Sequence, residues 1–393
     1  LNLLVLFSQP EFKEGGESSP APSSESPGSE SPESVSDSAS IIKNMIGKTG
    51  LSNTMTYTTI HDTYELRNNF EYKPEILEKY GRFLSPDNIG KYSGKMGKIC
   101  ELVKNSTGII IIYSQYIDGG VVPLALALEE MGFARYGSAS YTTSLLKTPQ
   151  TPIDALTMKK RDEFDKNKLG DFKQAKYVMI TGDKTFSPNN LADIKYATNE
   201  DNKYGEKVKV ILISQAAAEG LDFKNIRQVH ILSPWYNLNR LEQIIGRGVR
   251  NLSHCSLPFK ERNVEIYLHA TLPKDDEEPA DLYLYRYAEK KAVQIGQVTR
   301  LMKEVAVDCI LNIGQTKLTV DDLLANAQNK NIKLMLASKK EVEFKIGDKP
   351  FSGICDYMDN CNFVCSPNQE IKPEEIVNST YSLNYAKPIM RPL

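Results

Sequence analysis

Val210-Ile-Leu-Ile-Ser-Gln-Ala-Ala-Ala-Glu-Gly-Leu-Asp-Phe223 begins as an apolar run, stops at Ser214 and passes into small residues. A strand that is apolar at every position, with no alternation, fits a parallel sheet covered on both faces. The alanines and Gly220 that follow let another backbone or a phosphate approach closely. In an open α/β sheet ligands gather at the carboxyl ends of the strands, which is where Ser214 to Asp222 falls. The same letters also suit an ordinary strand-to-helix turn with alanine packing.

Working outward, similar short β-branched runs lie at Gly108–Tyr113, Tyr177–Ile180, Val229–Leu232 and Val264–Leu268. Helical periodicity separates most of them. Pro123 opens a helix over Leu124–Met131, with Gly132 placed to end it. Repeated β-α alternation around buried strands predicts a doubly wound α/β sheet spanning 93–270. Beyond it, Asp281 can cap a long helix with Ala288, Ala292, Ile295, Val298, Met302 and Val305 on one face. This predicts a C-terminal helical extension over 271–365, packed on the sheet domain.

A second informative stretch is Asn239-Arg-Leu-Glu-Gln-Ile-Ile-Gly-Arg-Gly-Val-Arg250. On a continuous helix, Gln243, Arg247 and Arg250 form one polar stripe. Glycine inside a helix costs roughly 1 kcal/mol relative to alanine. Gly246 and Gly248 flanking Arg247 therefore suggest arginines lying flat against a neighbouring surface. Two guanidiniums on one face match a polyphosphate through fork-shaped donor pairs. The other reading is a solvated basic face.

Composition sets outer limits. The 393 residues carry 48 bases and 50 acids, a net charge of -2. Residues 14–40 alone hold 11 Ser, 4 Pro, 3 Gly, six acids and no base, which predicts a disordered linker over 13–40. Setting those six acids aside leaves 48 bases against 44 acids, so the remainder is net +4. No apolar run approaches the roughly 20 residues of a membrane span. Six cysteines are few for a disulfide-stapled secreted scaffold. The first residue is Leu1, and LNLLVLF reads as the remnant of a preceding domain over 1–12. Residues 41–92 read as a connector or as the end of that preceding domain, and 366–393 as a loose tail.

At these residues a resemblance becomes specific. SQAAAEGLDF followed by QIIGRGVR resembles motifs V and VI of superfamily-two helicases, found in the second of two RecA-like lobes. Ser93-Gly-Lys95 and Ile112-Tyr-Ser-Gln115 resemble the start of that lobe and its motif IV. GRGVRNLSHCSLPFKERNVEIYLHATL and DLYLYRYAEKKAVQIGQVTRLMKEVAVDC are similar to helicases of nucleocytoplasmic large DNA viruses. Those are related to the poxvirus-type early transcription factor small subunit and nucleoside triphosphate phosphohydrolase. The likeness covers about 93–310.

The resemblance implies a RecA-like lobe of an ATP-dependent nucleic-acid helicase or translocase linked to viral transcription. It implies that Arg247 and Arg250 act as arginine fingers on ATP, with Gln243 ordering them. Glu219, Gly220, Asp222 and Gly246 would lie on the nucleotide side. Ser114, Gln115, Thr181, Gly182 and Ser214 would face the backbone of DNA or RNA. ATP and Mg²⁺ would be held mainly by the first lobe of the same polypeptide. Viral transcription machinery is an implied partner, a membrane is not, and the implied location is the host cytoplasm or virion core. The alternative is a non-catalytic RecA-like module that binds nucleic acid or protein.

No G-x-x-x-x-G-K-[ST] loop and no DExH tetrapeptide occurs in the chain. By itself it is therefore expected not to hydrolyse ATP. Cys355, Cys361 and Cys365 could bind zinc with Cys309 or His254 as a fourth ligand. Lacking short C-x2-C pairs, they read more naturally as ordinary buried cysteines. Trp235 and Tyr236 suit core packing or a lobe contact better than base stacking.

Overall fold

The computed structural model describes residues 47–61, 65–137, 144–164, 170–215, 222–272, 278–310, 313, 331–345, 349–366 and 368. The expected remnant at 1–12, the linker and nearly all of the tail lie outside these residues. Two compact units are formed. One runs through Tyr285 and includes Leu334–Val342; the other comprises Arg286–Lys333 and Glu343 onward.

The first unit opens with helix α1 (Gly47–Thr54), the antiparallel strands β1 (Met55–His61) and β2 (Glu65–Tyr72), and helices α2 (Pro74–Tyr80), α3 (Ile89–Tyr92) and α4 (Gly94–Lys104). Then come β3 (Ile109–Tyr113), α5 (Val122–Glu130), β4 (Ala134–Arg135), β5 (Lys176–Ile180), α6 (Asn190–Ala197), β6 (Val210–Ile213), β7 (Ile226–Ile231), α7 (Leu238–Gly248) and β8 (Glu265–Leu268). The six strands β3–β8 form one sheet in the order β4-β5-β6-β3-β7-β8, every pair parallel. This is the doubly wound α/β sheet that the strand pattern predicts, and it agrees with the RecA-like lobe that the resemblance implies.

The unbroken apolar strands are explained by where alternate residues go. Ile110, Ile112, Tyr177, Met179, Val210 and Leu212 enter one cluster, shared with Met96, Ile99 and Val103 of α4 and the apolar residues of α5. Ile109, Ile111, Tyr113, Val178, Ile180, Ile211 and Ile213 enter another, shared with Ile194 of α6 and Leu241 and Ile244 of α7. Both faces are thus covered along β3, β5 and β6, which is why these three strands show no polar alternation. The first cluster also contains Leu51, Met55, Phe70, Tyr72, Ile76 and Phe83. The sheet begins after Ser93, but its core reaches back to α1.

Ser93 caps α4, its hydroxyl accepting from Met96 N at 3.3 Å. Lys95, in the first turn, is buried and donates to Asp281 Oδ2 at 2.9 Å and to Leu232 O at 3.3 Å. Asp281 sits in the first turn of α8 (Ala280–Val305) and also accepts from Thr271 N at 2.9 Å. Burial raises the Asp281 pKa, but the Lys95 hydrogen bond, the Thr271 N–H and the Lys95 charge bring it below the ordinary carboxylate value.

α8 corrects a second expectation. Of its predicted apolar stripe only Ala288 and Ala292 are buried, while Ile295, Val298, Met302 and Val305 are exposed. The second unit is organised instead by Arg300, which donates to Asp356 Oδ2 at 2.8 Å, Cys355 O at 2.9 Å, Asn360 O at 3.0 Å and Asn362 O at 2.8 Å. Gly296 makes room for this loop, since a Cβ there would stand 1.9 Å from Asp356 O. Cys309 pairs with Cys365 and Cys355 with Cys361. The expectation of ordinary buried thiols gives way to disulfides, and sulfurs so bonded are not zinc ligands.

Candidate nucleotide and nucleic-acid site

Four parallel strands end on a hydroxyl. Thr181 follows β5, Ser214 follows β6, Ser114 follows β3 and Ser233 lies two residues after β7, each at most 2% exposed. With strand order β5-β6-β3-β7, these hydroxyls run in a row along the carboxyl edge. Three of the four were singled out in the sequence; Ser233 was missed because Pro234 and Trp235 draw attention away from it. The signal that could have found it is the repetition of Ser or Thr at every central strand end.

The chain leaves β3 toward β4 on one side, and leaves β7 toward β8 on the other. Adjacent strands whose connections diverge open a crevice at their carboxyl ends. Ser114 Oγ and Ser233 Oγ meet there at 3.1 Å, and Tyr116 N donates to Ser114 Oγ at 3.2 Å. Gln115 beside them is half-buried. Ser214 Oγ is buried and has no hydrogen-bond partner among the described residues, a loss of about 1–3 kcal/mol for such a group.

Around Thr181 the edge widens into a cavity of about 440 Å³ lined by Thr181, Gly182, Lys184, Ser187 and Asn190, among others. Thr181 N donates to Ser187 Oγ at 3.0 Å, and Asn190 Nδ2 donates to Thr181 O at 2.8 Å. These bonds hold the turn after β5 open at the edge, with Gly182 exposed.

α7 carries the arginine motif. Leu241 and Ile244 are buried against the sheet. A Cβ on Gly248 would lie 2.7 Å from Val229 Cγ2, so Gly248 is there to let α7 approach β7. Gly246 has nothing within 4 Å of its would-be Cβ. The expectation that both glycines flatten the arginines onto a surface is therefore corrected: one serves packing and the other faces open space.

The helix also ends sooner than a continuous stripe requires. It stops at Gly248 and Val249 leaves the helical region, so Arg250 departs from the face shared by Gln243 and Arg247. Gln243 is exposed and Arg247 half-buried. Arg250 Nη1 instead reaches Asp222 Oδ1 at 3.2 Å, joining the two quoted motifs. Glu219 and Gly220 lie outside the described residues. Near the start of α7, Arg240 stands over the Trp235 ring at 4.3 Å, and Trp235 packs on the second core cluster.

Among the described residues no three His, Cys, Asp or Glu side chains form a metal-binding group. No described helix is long and apolar enough to cross a membrane.

Comparison with known proteins places this geometry. Residues 155–251 match the model of the helicase conserved C-terminal domain. That span holds β5, β6, β7 and α7, hence both quoted motifs, and the chain carries this helicase domain. A protein of Acanthamoeba polyphaga mimivirus named "Putative ATP-dependent RNA helicase R350" is 40% identical over 132 residues, covering 32% of this chain and 16% of the relative. The "Termination factor NPH-I homolog" of African swine fever virus (isolate Tick/Malawi/Lil 20-1/1983) is 27% identical over 236 residues, covering 56% of this chain and 33% of the relative. The C-terminal part of the Fun30 ATPase domain aligns with a TM-score of 0.31 at 14% identity, over 52% of this chain and 50% of that one. Residues 155–251 carry the helicase conserved C-terminal domain, and the chain is similar to viral proteins that bear helicase and termination-factor names. It spans between 16% and 34% of the length of the curated relatives it matches.

Proposed function

We propose that this chain forms the second lobe of an ATP-dependent motor acting on the backbone of DNA or RNA, in viral transcription. The observation that carries the reading is the Arg250–Asp222 pair, which joins the arginine motif to the segment after β6 at the carboxyl edge. The two lobes would close on bound ATP and open again after its phosphoanhydride is hydrolysed. Arg250 and Arg247 would meet the charge that develops on the transferred phosphoryl group, with Gln243 orienting them. Arg250 would exchange its partial, exposed contact with Asp222 for the nucleotide, and Asp222 would be freed for the ribose. The described carboxylates offer no cluster for Mg²⁺, so no step is placed on a metal held by this chain.

Nucleic acid would lie along the hydroxyl row, contacting Ser114, Gln115, Thr181, Gly182 and Ser214. Ser214 Oγ would gain a partner it lacks among the described residues. Contacts of this kind give affinity without reading sequence.

The test is Arg250→Ala in the complete polypeptide. Nucleic-acid-stimulated ATP hydrolysis should fall by about 10³-fold or more, while nucleic-acid affinity changes less than about threefold. Hydrolysis near the wild-type rate would remove Arg250 from the motor. A complete polypeptide that binds nucleic acid but has no hydrolysis to lose would establish the non-catalytic module instead.

A further inference from the structure

The amino edge of the same sheet holds a cavity of about 320 Å³ with no part in the reading above. β3 is five residues long, so about 16 Å separates it from the carboxyl edge. Its polar lining comes from residues next to strand starts: Lys209 before β6, Arg227 in β7 and Gly108 before β3, with Lys203 and Lys339 also contributing. Against these four cations stand two carboxylates, Glu206 and Glu261, a difference of +2. Glu206 is engaged by Lys173, and Glu261 lies 3.7 Å from Arg227 Nη1.

The two deepest cations have donors to spare. Arg227 is 3% exposed; it donates to Glu261 O and, at 2.6 Å, to Met335 O, yet its Nε is buried without a partner among the described residues. Lys209 is fully buried and donates to Ser106 O at 3.1 Å and Ala155 O at 3.0 Å, which among the described residues leaves the third of its ammonium donors unmatched. Burial first, and then the charge of Lys339, push the Lys209 pKa down to about 8. An anion beside it would oppose both effects. Gly108, at φ +79°, makes the approach possible, because a Cβ there would lie 2.4 Å from Arg227 Cγ.

The remaining walls are Leu156, Tyr204, Leu257, Met335 and Leu336. A volume of this size is at the lower end for small-molecule pockets and suits one ring or short chain with one charged group. We propose that this amino-edge cavity is a binding site for a small amphipathic anion, a phosphate or carboxylate carried on an aromatic or aliphatic body. The guanidinium edge and the ammonium would take the oxyanion, and Tyr204 and the aliphatic walls would take the body.

Calorimetric titration of the full chain with AMP, octanoate, adenosine and inorganic phosphate tests this. AMP or octanoate should bind saturably, with adenosine and phosphate each at least about tenfold weaker, since each lacks one half of the recognition. The double variant Lys203→Glu, Lys339→Glu, changed only at side chains that are not fully buried, should weaken that binding by at least about tenfold. Arg250→Ala should leave it unchanged, which separates this cavity from the carboxyl edge. Binding insensitive to the double variant, binding lost with Arg250→Ala, or no saturable binding of either amphipathic anion would each overturn the proposal. An unchanged circular dichroism spectrum and melting temperature for the double variant exclude misfolding as the cause of its loss.

Discussion

In the first unit, strands β3, β5 and β6 send alternate apolar side chains into two large clusters, whereas the second unit gathers around one guanidinium. Both contain a buried ion pair: Lys95–Asp281 at 2.9 Å in the first and Arg300–Asp356 at 2.8 Å in the second. In the first the pair sits beside a core that stands without it. In the second the only apolar cluster of buried described residues is Cys309, Phe363 and Cys365. Area removed from water stabilises a unit in proportion to its size, at about 25 cal/mol per Å². A small unit must draw on directed bonds and cross-links instead.

The comparison can be broken most directly at Arg300. Arg300→Met leaves three backbone carbonyls without that donor and Asp356 with Lys303 alone of its two cations, a cost of about 3–5 kcal/mol. Limited proteolysis should then cut within 349–366 while the sheet-bearing unit stays intact. If both units unfold together, or neither does, the contrast is wrong. Taken singly, each of the two disulfides is next in size, at about 2–4 kcal/mol lost on its reduction. Dithiothreitol should lower the stability of the second unit and leave the first unchanged, because Cys100 and Cys255 are its free cysteines.

The first unit is sharpened at Gly248. Gly248→Val drives a side chain into Val229 and Ile226, at about 1–3 kcal/mol. A chemical denaturation curve should show that loss in the first unit only. The smallest effect is a pH dependence. Burial, with the His269 charge second, holds the His230 pKa down to about 3; burial and the charges of Lys95 and Lys98 hold that of His269 down to about 4. The rings share a 3.0 Å hydrogen bond that requires a neutral acceptor. Both folded values lie below the unfolded one of about 6.5. The unfolded chain therefore binds more protons between pH about 4 and 6.5, and stability should fall as pH drops through that window. Replacing His230 with Gln should flatten the fall, and a slope that stays the same assigns it to other groups.

Legibility followed the kind of force at work. The strands from Ile109–Tyr113 to Val210–Ile213 were readable because burial on two faces demands an unbroken apolar run, a local and repetitive signal. The arginine motif was readable as a motif, yet its geometry was not. The sequence places Gln243, Arg247 and Arg250 at helical spacing, but the helix ends at Gly248 and Arg250 turns to Asp222. Gly246 and Gly248 look alike in the sequence; only the distance to Val229 distinguishes them. Ile295, Val298 and Met302 have core periodicity and stand exposed, since periodicity states which face is apolar and not whether anything covers it.

The sequence by itself determined the parallel α/β sheet, five of its six strands, and the two helicase motifs. Each of these is encoded in neighbouring residues. Tertiary structure decided that four hydroxyls share one edge, that Lys95 meets Asp281, that Arg300 gathers a loop more than fifty residues away, and that cations collect at the opposite edge. These pairings depend on strand order and on which buried donors find acceptors, and both are settled only when distant segments compete for the same space.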